Sequence, residues 1–274
     1  MEMEKKYKLI ALDVDGTLLN DDHELTPGTA ETIRRIAGQG TEFVLCTGRA
    51  PVNSIPFMRK MGLGGYVITH NGAATVDVRT EEIVHEFALD VKGLDRYIDY
   101  CREHGVHYDI NTTFELYVPG ASELGKEALD MYRLFMMEPL ELPAWTEFTE
   151  PVVKMTVTAK KEELDRVQSD WNVWPQEFNV LRSGDFFIDI MHKEASKGAA
   201  LQKLAEKRGF KPEEVMAIGN YYNDLTMLTY AGLGIAMDNS PVEVKAAANA
   251  VTASNNEEGV KQALEKYCLG QSVK

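Results

Sequence analysis

The stretch LIALDVDGTLLN (residues 9–20) joins an apolar run to two closely spaced acids. Residues 9–12 are all apolar and lead directly into Asp13 and Asp15, which are separated by one residue. Two like charges at the end of a buried strand destabilise it unless something cationic or phosphorylated lies beside them. The stretch therefore predicts a buried strand whose end belongs to a site for a cation, a phosphate group or both.

The composition of the 274-residue chain is that of a globular protein, with 44% apolar and 26% charged residues. Its length suggests one large domain or two smaller ones. The net charge of −14 argues against nucleic acid as a partner, because a phosphate backbone needs a broad basic surface. A small phosphorylated ligand remains compatible, since it needs only one local cationic pocket.

The sequence also indicates a cellular setting. The first eight residues, MEMEKKYK, lack the apolar segment of a signal peptide, and no apolar run approaches the roughly 18 residues of a membrane span. The three cysteines are widely spaced and favour free thiols in a reducing compartment. We expect a cytoplasmic protein without a membrane partner, and its oligomeric state is open.

The two flanking parts of the chain alternate short, nearly continuous apolar runs with helical patterns. This alternation is typical of an α/β fold with a doubly wound parallel sheet. The predicted strands are KLIAL (8–12), EFVLC (42–46), GYVIT (65–69), VMAIGN (215–220), LGIAM (233–237) and NAVTA (249–253). The predicted helices cover 26–40, 51–62, 196–209, 223–232 and 241–248.

The middle of the chain differs, because its strand-like runs alternate apolar and polar residues and are rich in aromatics. Such alternation favours an antiparallel sheet with helices on one face. Strand patterns lie within 107–111, 114–120, 152–159, 178–184 and 186–193, and helical patterns within 94–105, 123–135 and 161–171. We therefore predict a parallel core (1–83 and 190–274) interrupted by an inserted α+β cap (84–189), with hinges near 82–86 and 188–194.

Ligands of open α/β sheets bind beyond the carboxyl ends of the strands, so residues that follow the predicted strands are candidates for a site. They are Asp13 and Asp15, Thr47, Gly48 and Arg49, Asn71 and Gly72, and Gly219, Asn220, Asn223 and Asp224. Lys197 opens the helix before the fourth core strand. Acids, a hydroxyl, amides and an amine at one edge match phosphoryl transfer assisted by a divalent metal.

The acids and one amide form the candidate metal site. Mg²⁺ prefers hard oxygen ligands, and Asp13 and Asp224 can offer carboxylate oxygens while Asn220 can offer its amide oxygen. The charge of Lys197 would offset the crowded carboxylates.

The remaining groups suit phosphate. The Thr47 hydroxyl and backbone amides around Gly16 and Gly48 can hold phosphate oxygens. Arg49 has two alternatives, since it could contact phosphate or brace its loop by an ion pair.

Four separate motifs together resemble the haloacid dehalogenase superfamily of phosphatases. They are DVDGT (13–17), Thr47, Lys197 and GNYYND (219–224), which correspond to DxDGT, a strand-end Ser or Thr, a distant Lys and GDxxND. The long insertion, TGR (47–49), NGA (71–73) and SKGAAL (196–201) are similar to the Cof-like subfamily with its type-II (C2) cap. The resemblance spans essentially the whole chain.

The resemblance implies Mg²⁺-dependent hydrolysis of small phosphorylated metabolites through an aspartyl-phosphate. By it, Asp13 is the nucleophile and Asp15 the general acid and base. The implied catalytic residues are Asp13, Asp15, Thr47 and Lys197; the metal ligands are Asp13, Asp15, Asn220 and Asp224; and the substrate-binding residues are Gly16, Gly48, Arg49, Asn71 and Asn223.

One position departs from the family pattern. Asn220 stands where GDxxND has its first acid, and an amide oxygen ligates Mg²⁺ without contributing charge. We expect weaker metal affinity with activity retained. Two alternatives stay open: a phosphosugar mutase on the same scaffold, and a catalytically weakened protein that binds a phosphorylated metabolite.

Overall fold

The computed structural model describes residues 7–134 and 136–270. Residues 1–6, which belong to the segment tested for a signal peptide, lie outside the described residues. So does Phe135, the last residue of the helix predicted over 123–135.

Up to residue 60 the chain alternates strands with helices, and three strands follow up to residue 86. The elements are β1 (Leu9–Asp13), α1 (Pro27–Gly38), β2 (Glu42–Cys46), α2 (Pro51–Lys60), β3 (Tyr66–Thr69), β4 (Ala74–Asp77) and β5 (Ile83–Glu86). Helix α1 begins where its sequence predicts, because the Thr26 hydroxyl accepts a hydrogen bond from the Thr29 amide and Pro27 occupies the first turn.

The middle of the chain carries the aromatic-rich elements. They are α3 (Asp95–His104), β6 (His107–Asn111), β7 (Leu116–Val118), α4 (Lys126–Leu134), β8 (Leu140–Glu141), β9 (Lys154–Thr158), α5 (Lys161–Trp171), β10 (Asn179–Gly184) and β11 (Phe187–Met191).

The last part of the chain returns to the α/β pattern. Its elements are α6 (Lys197–Arg208), β12 (Val215–Gly219), α7 (Leu225–Tyr230), β13 (Leu233–Ala236), α8 (Val242–Ala247), β14 (Ala250–Val251) and α9 (Gly259–Cys268). Helix α6 begins at a Ser196 cap, whose hydroxyl accepts from the Ala199 amide.

The chain forms two compact units. The core unit comprises the chain up to Arg49, Ser54–His85 and the chain from Ser196 on, and the inserted unit comprises Ala50–Asn53 and Glu86–Ala195. The boundaries between the units at 85/86 and 195/196 lie a few residues beyond those expected at 83/84 and 189/190. The short segment Ala50–Asn53 was not expected in the inserted unit.

The core unit is built on one sheet with the strand order β14-β13-β12-β1-β2-β3-β4-β5 in the described residues. Neighbours from β14 through β3 are parallel, and β4 runs antiparallel to β3. Leu9 and Ala11 pack with residues of α6 and α7, while Ile10 and Leu12 are buried on the opposite face. The predicted α/β class with a doubly wound, largely parallel sheet is confirmed.

The inserted unit contains a second sheet, with the order β10-β11-β9-β6-β7-β8. Its pairs are antiparallel apart from β7 with β8, which is parallel. One face packs on α3 and α5 around a cluster of rings in which Tyr97 contacts Trp171, Trp174 and Phe178 edge-on. This α+β architecture agrees with the expected inserted module.

Within the described part of the chain, no helix combines the length and the apolar character needed to cross a membrane.

Candidate active site

The carboxyl ends of the parallel strands bring the predicted site residues to one edge of the core sheet. Asp13 ends β1, Thr47 directly follows β2, and Asn71 lies in the turn after β3. Gly219 ends β12, and Asn220 follows it. These residues lie together because the four strands that supply them, β12, β1, β2 and β3, run parallel to one another.

A buried ion-paired cluster lies at the centre of this edge. The Lys197 ammonium donates to Asp13 Oδ1 at 2.7 Å and to Asp224 Oδ1 at 2.6 Å. Lys197 is 1% exposed, Asp13 5% and Asp224 0%. One buried cation between two carboxylates makes the paired negative charges tolerable in the absence of any ligand.

The electrostatics of the cluster follow from its burial. Burial, helped by the charge of Asp224, raises the pKa of Asp13 to about 7, although Lys197 opposes the shift. Burial alone would lower the pKa of Lys197, but Asp13 and Asp224 raise it above its usual range. The two carboxylates therefore favour the charged form of Lys197.

Asp224 is held from two sides. Its Oδ1 accepts from Lys197, and its Oδ2 accepts from the backbone amides of Asn220 (2.8 Å) and Tyr221 (3.0 Å). The carboxylate thus fixes the loop that carries Asn220 as well as the lysine.

Asp15 has a different environment from Asp13, because it lies beyond the strand in the turn that follows. Its side chain is 46% exposed and forms a two-point ion pair with Arg49, in which Arg49 Nε donates to Oδ2 at 2.9 Å. His23 Nδ1 lies 3.8 Å from Asp15 Oδ1. Of the two alternatives for Arg49, the structure displays the ion pair.

The phosphate-binding candidates form a connected polar group. The Thr47 hydroxyl accepts from the Arg49 amide at 3.1 Å, and the Thr47 carbonyl accepts from the Asn71 amide at 3.0 Å. Asn223 Nδ2 donates to Asn71 Oδ1 at 3.0 Å. A Cβ at Gly48 would lie 3.1 Å from the Asn71 amide group, so the glycine allows this close approach.

Thr17 links the nucleophile candidate to the loop of Asn220, and it was absent from the predicted set. Its hydroxyl donates to Asn220 Oδ1 at 3.2 Å, and it lies close enough to Asp13 to act against the rise in the pKa of that carboxyl. Gly16 beside it has φ +74°, and a Cβ there would lie 2.5 Å from Asn220 Nδ2. The signal for Thr17 was its position in DVDGT.

The oxygen donors of this edge fit Mg²⁺. Among the described residues, no group of three His, Cys, Asp or Glu side chains is arranged to hold a metal. Each of these oxygen donors already has a protein partner: Asp13 and Asp224 share Lys197, and Asp15 is paired with Arg49. The Asn220 amide oxygen accepts from the Thr17 hydroxyl. An all-oxygen set with few carboxylates suits Mg²⁺, which retains water in its shell.

A second buried polar cluster lies in the inserted unit and was not predicted. Asp109 on β6, Thr156 on β9 and Asp189 on β11 are direct cross-strand partners, and all three are buried. Thr156 donates to Asp189 Oδ1 at 3.1 Å, Lys154 Nζ lies 3.4 Å from the same oxygen, and Asn111 donates to Asp109 at 2.6 Å. Burial raises the pKa of Asp109 to about 6.

Comparisons with known proteins agree with this geometry. The family model of the haloacid dehalogenase-like hydrolases matches residues 10–264. A Bacillus subtilis protein named "Putative phosphatase YxeH" is 36% identical over 273 residues, covering 97% of this chain and 100% of the relative. From the same organism, 5-amino-6-(5-phospho-D-ribitylamino)uracil phosphatase YitU is 28% identical, with 97% and 99% covered.

A solved structure is similar over nearly the whole length. The crystal structure of a haloacid dehalogenase-like hydrolase from Bacteroides thetaiotaomicron has a TM-score of 0.83 and 32% identity to this chain. The match covers 95% of this chain and 99% of the other. The likeness therefore includes the inserted unit as well as the core unit.

Proposed function

Because this chain belongs to the haloacid dehalogenase-like hydrolases, as a Cof-like phosphatase, we propose that it hydrolyses small phosphorylated metabolites with Mg²⁺ as its cofactor. The proposed reaction passes through an aspartyl-phosphate on Asp13. The proposed setting is the cytoplasm, which suits Cys46, Cys101 and Cys268 as free thiols.

The observation that carries the proposal is the buried bridge of Lys197 between Asp13 and Asp224. The lysine engages Oδ1 of Asp13 and so fixes the carboxylate, whose other oxygen, Oδ2, is assigned the attack on phosphorus. An ammonium group beside the nucleophile also offsets the negative charge that a phosphoryl group brings.

Asp15 is assigned the proton transfers. In the first step an Asp13 oxygen bonds to phosphorus, the bond from phosphorus to the leaving oxygen breaks, and Asp15 gives that oxygen a proton. In the second step Asp15 takes a proton from water, the water oxygen bonds to phosphorus, and the bond from Asp13 to phosphorus breaks. The products are an alcohol and inorganic phosphate, and both acids return to their starting state.

The phosphoryl oxygens are assigned to the polar group beyond β2 and β3. The Thr47 hydroxyl and the backbone amides at Gly16 and Gly48 are donors for these oxygens. Asn71 and Asn223 brace one another at 3.0 Å and offer amide groups beside them. In this proposal Arg49 exchanges its contact with Asp15 for one with the bound phosphate.

Mg²⁺ is assigned to Asp13 and Asn220, with Asp15 and Asp224 as the other proposed ligands. When bound, it would neutralise charge on the transferring phosphoryl oxygens. Thr17, whose hydroxyl donates to Asn220 Oδ1, would hold this amide in position.

A phosphate-release screen tests the proposal. The wild-type protein and Asp13→Asn are incubated with Mg²⁺ and a panel of sugar phosphates, nucleotides, cofactor phosphates and phosphorylated ribitylamino-pyrimidines, the last taken from the name of YitU. We expect phosphate release by the wild type alone, and phosphate bound covalently to Asp13 after rapid acid quenching.

The same screen separates the alternatives. Interconversion of hexose phosphates without free phosphate would favour the mutase. Binding of a metabolite without turnover at saturating Mg²⁺ would favour the binding protein and overturn hydrolysis. Equal phosphate release by Asp13→Asn would overturn the assigned nucleophile.

A further inference from the structure

The core unit contains a cavity at the end of its sheet opposite to the candidate active site. The cavity has a volume of about 630 Å³, within the range of sites that hold small organic ligands. Its lining includes three arginines, Arg34, Arg79 and Arg208, and we call these three residues and the space between them the arginine basin. Nothing in the proposed hydrolysis uses it.

The direction of the strands separates the basin from the site around Asp13. The lining includes Glu42 and Tyr66, which are the first residues of the parallel strands β2 and β3. The candidate active site lies beyond the last residues of the same strands. At a rise of about 3.3 Å per residue, Glu42 and Thr47 are roughly 16 Å apart.

Arg208 lines the basin, and contacts within the protein hold its side chain in place. Its guanidinium group forms a two-point ion pair with Glu42, in which Nε donates to Oε2 at 3.0 Å. The same group lies 5.9 Å from the centre of the Tyr66 ring and 6.0 Å from that of Phe210. Its position is therefore determined without a ligand.

Arg34 and Arg79 are the available cations. Both are exposed, and neither forms an ion pair within residues 7–134 and 136–270. Asp77 also lines the cavity, but its Oδ1 accepts from the backbone amides of Arg79 and Thr80. Three guanidinium groups thus face two carboxylates, a local excess of positive charge in a chain of net charge −14.

The glycines of the lining show where its surface is open and where it is filled. A Cβ at Gly64 would lie 2.3 Å from Arg79 Nε, so the arginine lies against bare backbone there. At Gly38 and Gly62 the position of a Cβ has no atom within 4 Å. The cavity therefore has room for more than an inorganic ion.

We propose that the arginine basin binds a small organic phosphate at a site separate from the hydrolytic one. Arg34 on α1 and Arg79 after β4 donate to the phosphate oxygens, because guanidinium groups on two elements suit a dianion with several acceptors. The organic part lies against Leu63 and the Tyr66 ring.

Calorimetric titration with phenylphosphonate, whose carbon–phosphorus bond a phosphatase does not hydrolyse, tests the proposal. In the presence of Mg²⁺ we expect two classes of site on the wild type, one of them at the candidate active site. Arg34→Gln/Arg79→Gln should weaken binding to the class of site assigned to the basin at least tenfold. The rate of phosphate release, and the inhibition of that release by phenylphosphonate, should both stay unchanged. Inorganic phosphate as probe should bind the basin more weakly.

A matched variant controls for the loss of two positive charges. Arg35 lies beside Arg34 on α1, and Lys60 ends α2; both are exposed and neither lines the cavity. Arg35→Gln/Lys60→Gln should keep both classes of site. A single class on the wild type, or equal loss of affinity in the two double variants, would overturn the proposal. Neither result would affect the proposed hydrolysis, which is measured separately.

Discussion

Lys197 is the residue on which the core unit's candidate site depends. It is 1% exposed and its ammonium contacts two carboxylates that are themselves buried. A buried pair of this kind contributes little net stability, but removal of one partner leaves the others without compensation. We therefore expect the lysine to contribute to the stability of the core unit as well as to the proposed chemistry.

The first prediction separates these two roles. Lys197→Met should lower the free energy of unfolding by roughly 3–5 kcal/mol, because Asp13 and Asp224 remain buried without a cation. Lys197→Met/Asp224→Asn should recover part of this loss without recovering phosphate release. Urea unfolding measures the stability of both variants, and phosphate release is assayed separately.

Lys207→Met serves as the control for this series. Lys207 is exposed on the same helix, and its replacement should change stability by no more than about 0.5 kcal/mol. Equal destabilisation by Lys197→Met and Lys207→Met would contradict the assigned role of the bridge.

The second prediction concerns Asn220. Asn220→Asp replaces a neutral amide of the proposed metal site with a carboxylate, so the Mg²⁺ concentration for half-maximal phosphate release should fall roughly tenfold. Asn172→Asp, an exposed change at the end of α5, controls for the added charge. The same Mg²⁺ dependence in all three proteins would reject Asn220 as a ligand.

At the scale of elements, the sheet of the inserted unit shows how register builds a buried polar row. Asp109, Thr156 and Asp189 are paired across β6, β9 and β11, so they share one face while the intervening residues contact the aromatic cluster. Two buried carboxylates in one row raise the cost of ionising both. The pKa of Asp109, raised chiefly by burial to about 6, expresses that cost.

The third prediction follows from this pKa. In the unfolded chain the pKa of Asp109 returns to about 3.9, so the folded state binds more protons between pH 4 and 6. The contribution of this group to stability is complete below pH 4 and is lost as the pH rises through about 6. Relative to the wild type, Asp109→Asn should therefore gain stability progressively across this window.

Denaturant unfolding at pH 4, 5, 6 and 7 measures the difference between the two proteins. Asp99→Asn, an exposed change on α3, should show a flat difference over the same range. A flat difference for Asp109→Asn would mean that its carboxyl is ionised throughout.

Elements differ in how far their sequence reveals them. The nearly continuous apolar runs of β1, β2 and β3 predict these strands to within one residue, because burial on both faces leaves no other pattern. Strand β5 is only partly buried and was not predicted. Helix α9 was also missed, since it begins at Gly259 after Glu258 at φ +55°, a start without a capping side chain.

The candidate sites likewise contain some features that the sequence reveals and others that it does not. The rule that ligands bind at the carboxyl edge locates Asp13, Thr47 and Asn220 from sequence, because it depends only on strand direction. Periodicity places Asp109 on one face of its strand but does not reveal that this face is buried. Nor does spacing decide between partners, so the contact of Arg49 with Asp15 needed the structure.

At the scale of the whole molecule, the candidate site unites residues that the insertion separates in sequence. Lys197 pairs with Asp13 across 184 positions, and Thr17 pairs with Asn220 across 203. The core sheet also joins the two parts of the chain that the insertion separates, since β1 pairs in parallel with β12. The site therefore exists only once both parts of the core unit have assembled, and its integrity reports on the folding of that unit.

The last prediction concerns removal of the metal from the complete protein. Lys197 contacts both Asp13 and Asp224 and offsets part of their negative charge, so we expect the core unit to fold without Mg²⁺. Excess EDTA should abolish phosphate release while circular dichroism stays unchanged at 25 °C. A cation at ten times its Kd stabilises by only about 1.4 kcal/mol, which corresponds to a Tm change of no more than roughly 6 °C. Cooperative unfolding on addition of EDTA would instead show that the metal, and not the lysine, compensates the buried carboxylates.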